Sequence, residues 1–359
     1  MQKNKVRCGT VRVFSLMLCL LLAFGAVGCR RADAPLTPGL SVIQGEPIYD
    51  KDVAMKTDNF TVTPGMMAYF FYSYGATVLS GIEQFKTYDP EKPLHDQAYS
   101  DTLSFYDAIM NETLTKVSRM LIYCEAARAA GVSLTEEQSN EITAQITGMR
   151  MEAAINYDQE LEDYLKATYG PKMTEEDLEA VLQLETLANS YSLTVERELE
   201  ESITQQQALD FAKEHGIEDN TPSRNISFLY VPYAWGEPNE EILSAALEAL
   251  EQEPVHDTLL AFTERSTPGK ESNMTPENCG VEEICTWLFV PERRVGDVGR
   301  VELNGATYIL LYTGDGRSCG EINARMQMFD GVYAEWYNAQ IAGLHFGYNY
   351  DCLDSYDKK

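Results

Sequence analysis

At about residue 225 the chain changes its period, and that change limits the folds open to it. From about Val53 to Gly216, apolar residues recur at three- and four-residue steps, the spacing that lines one stripe of a helix. Residues 98–130 are the clearest case: Leu103, Tyr106, Ile109, Met110, Leu114, Val117, Leu121 and Ile122 keep step until Gly131 ends the run. In "SRNISFLYVPY", residues 223–233, the step becomes two. Ile226, Phe228 and Tyr230 fall on one face, Leu229, Val231 and Tyr233 on the other. Further on, Val301 and Leu303 lead into Asn304-Gly305 and out through Tyr308 to Tyr312. Asn-Gly between alternating runs signals a hairpin, because both turn positions need positive φ. A long helical part with one small β region makes the chain α+β.

Local chemistry marks the helix starts. Pro64 opens a segment that runs through Phe85 and carries Met66, Met67, Tyr69, Phe70, Phe71 and Tyr74, as helical core or as a crevice for varied apolar ligands. Thr135 precedes Gln138, Thr174 precedes Asp177 and Thr204 precedes Gln207 by three residues each, the arrangement of a capping box. Helices are expected over 239–252 and 257–264, and a last one over 320–344 with Met326, Phe329, Val332, Trp336, Ile341 and Leu344 as its buried stripe. So apolar a stripe needs a partner, and the β region is occupied with its own core. The last helix, within 317–359, is therefore expected to pack back on a helical domain at 51–220, leaving 221–316 as an insertion of βααβ-β order.

The N-terminus reads as a secretory signal. Lys3, Lys5, Arg7 and Arg12 precede an apolar run from Val13 to Leu22, which is shorter than the ~20 residues of a spanning helix. It ends in "AVGC", similar to the lipobox of bacterial lipoproteins, with Ala26 where Leu is usual. That resemblance implies acylation of Cys29 and a signal over 1–29; an ordinary cleaved signal or a membrane helix is the alternative. Two acyl chains at about 0.8 kcal/mol per buried CH₂ anchor stably. Residues 30–50, rich in Pro, Gly and small residues up to Pro47, read as a tether. Losing four basic and no acidic signal residues takes the formal charge from −28 to −32, which argues against nucleic acid as a ligand and suits solubility or cationic clients.

Cys124, Cys279, Cys285, Cys319 and Cys352 form no CxxC pair. Buried thiols are the expectation, with a Cys279–Cys285 bridge as the alternative. The four histidines, His95, His215, His256 and His345, share no ligand spacing with cysteines or carboxylates, so no metal is expected. His215 sits at a helix end, where its charge favours the C-terminal dipole. Arg293 and Arg294 read as exposed surface charges. GxSxG, Walker and GxGxxG motifs are absent, and no cofactor is expected.

The layout, the lipobox and several short stretches together resemble the PrsA/SurA-type extracytoplasmic foldases. The resemblance is carried by "GVSLTEEQ", "YLKATYGPKMTEEDLEAVLQ", "ISFLYVPY", "LLAFTERST" before a loop, and "TWLFVPERRVGDVGRVELNGATYILLY". It implies a helical chaperone domain with an inserted parvulin-like peptidyl-prolyl isomerase domain, held at the membrane by a lipid. Its partners would be unfolded or newly secreted polypeptides, and a homodimer stays open. Parvulins carry histidines in the first and last strands; here those positions fall on Ser227 and Tyr308, and a third polar position on Cys279. Weak or absent isomerase activity is expected from that. Phe228, Trp287, Leu288 and Phe289 would line a proline-sized pocket, with core packing as the competing role. The other functional classes are a solute-binding lipoprotein of a transporter, which needs two lobes of repeated parallel βα units, and a structural envelope protein.

Overall fold

The computed structural model describes residues 43, 45–80, 88–233, 237–303 and 305–356. The lipobox with Cys29, most of the tether, the end of the 64–85 segment and Asn304 lie outside the described residues. Two compact units form, Met1–Glu198 with Ala334–Lys359, and Leu199–Tyr333. The chain is α+β, and its last stretch belongs with the N-terminal helical part.

The first unit begins with three short strands, β1 (Glu46–Pro47), β2 (Met55–Lys56) and β3 (Thr61–Val62). Helices α1 (Pro64–Ser80), α2 (Phe105–Ala129), α3 (Glu136–Tyr157), α4 (Leu161–Tyr169) and α5 (Glu175–Ser202) follow, the last crossing into the second unit. A fourth strand, Gly347–Tyr348, lies between β1 and β2. This small sheet is not foreseen by periodicity, and Glu46–Pro47, read as tether, is its edge: β1 pairs in parallel with Gly347–Tyr348. Gly45 makes the approach feasible, because a Cβ there would meet the Phe346 carbonyl oxygen at 2.5 Å.

Capping is as the spacing requires. Thr135 and Thr204 make complete boxes with Gln138 and Gln207, and Thr174 and Asp177 exchange side-chain and backbone bonds at 3.1 Å. A further box, Ser104 with Asp107, opens α2. It starts the helix two residues after Leu103, which is 36 % exposed, while the other seven apolar residues expected in the stripe are buried. Met66, Met67, Phe70 and Phe71 are all buried too, so at these four positions α1 is core and not crevice. Trp336 stacks on Tyr123 with ring centroids 5.3 Å apart, and Phe71 on Tyr356 at 5.7 Å, tying the C-terminal stretch to α1 and α2.

In the second unit, α6 (Gln205–Glu214) leads to β4 (Pro222–Pro232), α7 (Glu240–Gln252) and α8 (His256–Leu259). Then come β5 (Thr267–Met274), α9 (Glu282–Leu288), β6 (Val298–Leu303), β7 (Ala306–Ser318) and α10 (Cys319–Ala342), whose residues from Ala334 on belong to the first unit. The sheet is antiparallel in the order β5-β4-β7-β6, and Gly305 turns the β6–β7 hairpin at φ 83°. Three expectations change. The helix expected at 257–264 is one α turn and a 3₁₀ turn over Leu260–Phe262, since only Leu259 and Phe262 of it reach the core. The loop expected after Thr267 is strand β5, because its backbone pairs along β4 from Tyr230 to Arg224 despite a poor β composition. In α10, Met326 is exposed and Leu344 lies beyond the helix end, while Arg325 is buried at 8 % exposure. Its partners explain this: the guanidinium pairs with buried Glu321 at 3.0 Å and donates to the carbonyls of Ile203 at 2.6 Å and Glu200 at 3.2 Å.

Candidate functional site

The sheet of the second unit has two apolar faces, each set by strand alternation. Leu229 and Val231 of β4 join Ile309 and Leu311 of β7 under α7, with Leu259 of α8 completing that core. Ile226 and Phe228 join Tyr308, Leu310 and Tyr312 on the other face, under α9. The register sets Phe228 opposite Leu310 and Tyr230 opposite Tyr308. The first face is closed. The second is not, because Phe228, Tyr230 and Tyr308 are only partly buried.

Two glycines shape this open face. The Phe228 ring lies on Gly269 of β5, where a Cβ would come within 2.2 Å of Cζ; the Trp287 indole lies on Gly299 of β6, where a Cβ would come within 2.0 Å of Nε1. Tyr308 sits between Phe228, at 5.9 Å between centroids, and Tyr230, at 5.2 Å in an edge contact. Missing side chains on the outer strands thus let aromatic rings come down onto the sheet backbone.

The residues expected to carry chemistry are not all brought together. Ser227 is buried at 1 % exposure and alternates onto the α7 face, away from Tyr308, so the β4 side chains that meet Tyr308 are Phe228 and Tyr230. Cys279 holds no thiol: it is bonded to Cys285, with Cα atoms 5.8 Å apart, which corrects both the buried-thiol reading and its place as a polar catalytic position. Cys124, Cys319 and Cys352 are the free, buried ones among the described residues. Of the expected pocket lining, Phe228, Trp287 and Phe289 are half-buried, while Leu288 is fully buried and serves as core. His256, the one histidine between residues 222 and 318, belongs to α8. Burial, followed by the charge of Lys270, lowers its pKa.

Two arginines complete the site, and sequence reading missed both. Arg293, read as a surface charge, has its side chain 16 % exposed. It lies over the Trp287 ring at 4.0 Å and donates from Nη2 to the Trp287 carbonyl at 2.6 Å. Arg224 donates to the carbonyls of Leu288 and, at 3.0 Å, Val290. Its guanidinium stands 5.3 Å from the Tyr312 ring and 5.8 Å from the Phe289 ring. Tyr312 donates in turn to Asp315; burial, then that bond, pushes the phenol up to about 12. The aromatic residues around 287–289 are the signal that could have flagged Arg293, because guanidinium planes stack on such rings.

Beside the face, a depression of about 580 Å³ is lined by Tyr233, Glu283, Glu302 and Leu303. In the first unit another, of about 390 Å³, includes Asp58, Asn59, Glu125, Arg128 and Gln340. Glu125 is occupied there, accepting from Thr57 Oγ1 at 2.6 Å and from both nitrogens of Asn59 at 2.7 and 2.8 Å. Among the described residues no cluster of three or more His, Cys, Asp or Glu could hold a metal, and no helix is long and apolar enough to cross a membrane.

The open face therefore offers stacking surface, apolar contact and fixed cations.

No family model and no curated relative matches the chain. Among solved structures it is similar to PrsA from Bacillus subtilis, at 12 % identity and a TM-score of 0.30 over 86 % of this chain and 93 % of that one. It is also similar to a structure from a study of the virulence factor PEB4 and the periplasmic protein Cj1289, two SurA-like chaperones of Campylobacter jejuni. That match has 8 % identity and a TM-score of 0.28 over 82 % and 98 % of the two chains. Foldase protein PrsA from Streptococcus pneumoniae follows at 14 % identity and a TM-score of 0.29, over 73 % and 93 %.

Proposed function

We propose that this chain is an extracytoplasmic foldase or holdase, anchored through Cys29, that binds unfolded polypeptides as they emerge after export. Its sheet unit acts as a parvulin-like domain that holds apolar and prolyl segments with little isomerisation. The observation that carries this reading is the contact of the Phe228 ring with the Tyr308 ring on the open face. At the two positions where the family resemblance implies imidazoles stand Ser227, buried on the other side of the sheet, and the phenol of Tyr308, so no imidazole stands beside Phe228 and Tyr308. Rotation about X-Pro crosses a barrier of about 18–20 kcal/mol that arises from amide resonance. A dry pocket lowers it by desolvating the carbonyl, with no nucleophile and no proton transfer. Phe228 and Trp287 supply dryness. An imidazole to polarise the amide is missing from this reading of the face, so binding outweighs turnover.

Two measurements test the proposal. The protein should suppress aggregation of a chemically unfolded client at near-stoichiometric ratios while accelerating exchange of a short Phe-Pro peptide only slowly. Tight binding of one small solute with no effect on the client would rule the chaperone reading out, and exchange at the rate of an efficient parvulin would rule out a mainly binding domain. For the anchor, Cys29→Ala should leave the protein unacylated and absent from the membrane fraction. Unchanged acylation and fractionation would remove the lipobox from the account.

A further inference from the structure

The wall over the open face is a single short helix, and it is held at its middle and at its C-terminal end by groups outside it. Seven residues, Glu282–Leu288, are well below the ~12–15 that sustain a helix by themselves. Ile284 and Leu288 anchor its inner side in the core, but Trp287 and Phe289, which face the groove, lie at and just past its last turn. At its middle, Cys285 is bonded to Cys279, so the segment leading into the helix is closed on the helix itself. At the end, the last carbonyls have no intrahelical partner. Arg293 takes the Trp287 carbonyl through Nη2 at 2.6 Å and Nε at 3.2 Å, and Asp297 Oδ2 stands 3.5 Å from its Nη1. Arg224, from the central strand β4, takes the carbonyls of Leu288 and Val290 and so links the helix end to the sheet. Each guanidinium also lies against a ring of the wall, Arg293 on Trp287 at 4.0 Å and Arg224 by Phe289 at 5.8 Å. The groups that satisfy the carbonyls therefore also orient the aromatic side chains.

We infer that Arg224, Arg293 and the Cys279–Cys285 disulfide are positioning elements for peptide binding: they hold the height and tilt of Trp287 and Phe289 over the sheet without contacting the peptide. The inference rests on the reading of the open face as a peptide site. Pre-organisation matters because every side chain that must be immobilised on binding lowers affinity. Arginine is specific here, since a planar fork can bond a carbonyl and stack on a ring together, which the point charge of lysine cannot.

The test uses the full mature chain and a dansyl-labelled decapeptide containing Phe-Pro. Four forms are compared with the oxidised wild type: Arg293→Ala, Arg293→Lys, the Cys279→Ser/Cys285→Ser pair, and wild type treated with a dithiol. In the last, the disulfide takes two electrons and two protons to give two thiols while the reagent closes to its cyclic disulfide. Each form is also followed by near-UV circular dichroism of its tryptophans without peptide and by its urea midpoint. Arg293→Ala should weaken peptide binding about tenfold, in line with loss of charge-assisted bonds. Arg293→Lys should recover less than half of that on a logarithmic scale, and opening the disulfide should cost about fivefold. The tryptophan signal should change in each case. Should the folded Arg293→Lys and dithiol-treated proteins bind within twofold of wild type with an unchanged tryptophan signal, the positioning role is overturned. If the oxidised wild type does not bind the decapeptide at all, the peptide-site reading falls first and takes this inference with it.

Discussion

Arg325→Met should destabilise the second unit by about 3 kcal/mol, at the low end of the ~3–5 kcal/mol lost when one partner of a buried ion pair is removed. The substitution is nearly isosteric, so volume is not the cause. Glu321 is left buried at 2 % exposure with weaker company: Gln205 at 3.1 Å and the half-exposed Arg317 at 3.5 Å. The carbonyls of Ile203 and Glu200 also lose their donor at the end of α5. Urea denaturation followed by tryptophan fluorescence reads the loss. Adding Glu321→Leu to the same chain should restore a large part of it, because the uncompensated charge goes too. A single-variant cost below about 1 kcal/mol would show that the pair contributes no more than a surface bridge.

The opposite sign is expected at Glu185 of α5, a carboxyl in the first unit that makes no ion pair among the described residues. Burial pushes it up to about 7. Burial first and this carboxylate second raise the hydroxyls of Tyr69 and Tyr74, which places Glu185 beside the α1 tyrosines. In the unfolded chain it titrates near 4.3, so between about pH 4.5 and 7 the folded state holds a proton that the unfolded state has released. Stability then falls as pH rises through that window and is flat above it. Glu185→Gln removes the fall. At roughly 1.4 kcal/mol per tenfold change in proton affinity the full effect is about 4 kcal/mol; Glu185 is only partly buried by accessible surface, so a gain of about 1–2 kcal/mol at pH 8 is expected, with none at pH 4. Equal midpoints for variant and wild type at pH 8 would place the carboxyl in a wetter setting than the one described.

These two positions differ in how far each was visible beforehand. Glu185 lies in a helix whose start follows from the cap at Thr174, and Arg325 in one expected from its apolar spacing, yet neither the buried pair nor the buried lone acid is marked in the sequence. Burial of a polar side chain depends on what another segment brings to it. The same holds at the open face. Alternation in β4 sorted Ile226, Phe228 and Tyr230 from Leu229 and Val231 correctly, and the last strand did likewise for Tyr308. Family spacing nevertheless set Ser227, not Phe228, against Tyr308, an offset of one residue. In a pleated strand that offset moves a side chain to the other side of the sheet, and here it moved Ser227 into the α7 core.

What the sequence determined by itself is whatever rests on neighbours a few residues apart: the capping boxes at Thr135, Thr174 and Thr204, the helical stripe of α2, the alternation of β4 and the turn at Gly305. Tertiary structure alone decided which strand would accept "TPGKESNM" as β5, that Cys279 would meet Cys285, and that Arg224 and Arg293 would turn inward to the end of α9. The physical reason is that caps and periodicity are satisfied by bonds within one segment. A poor strand former, a thiol or a guanidinium takes its role from a partner that only the folded chain delivers.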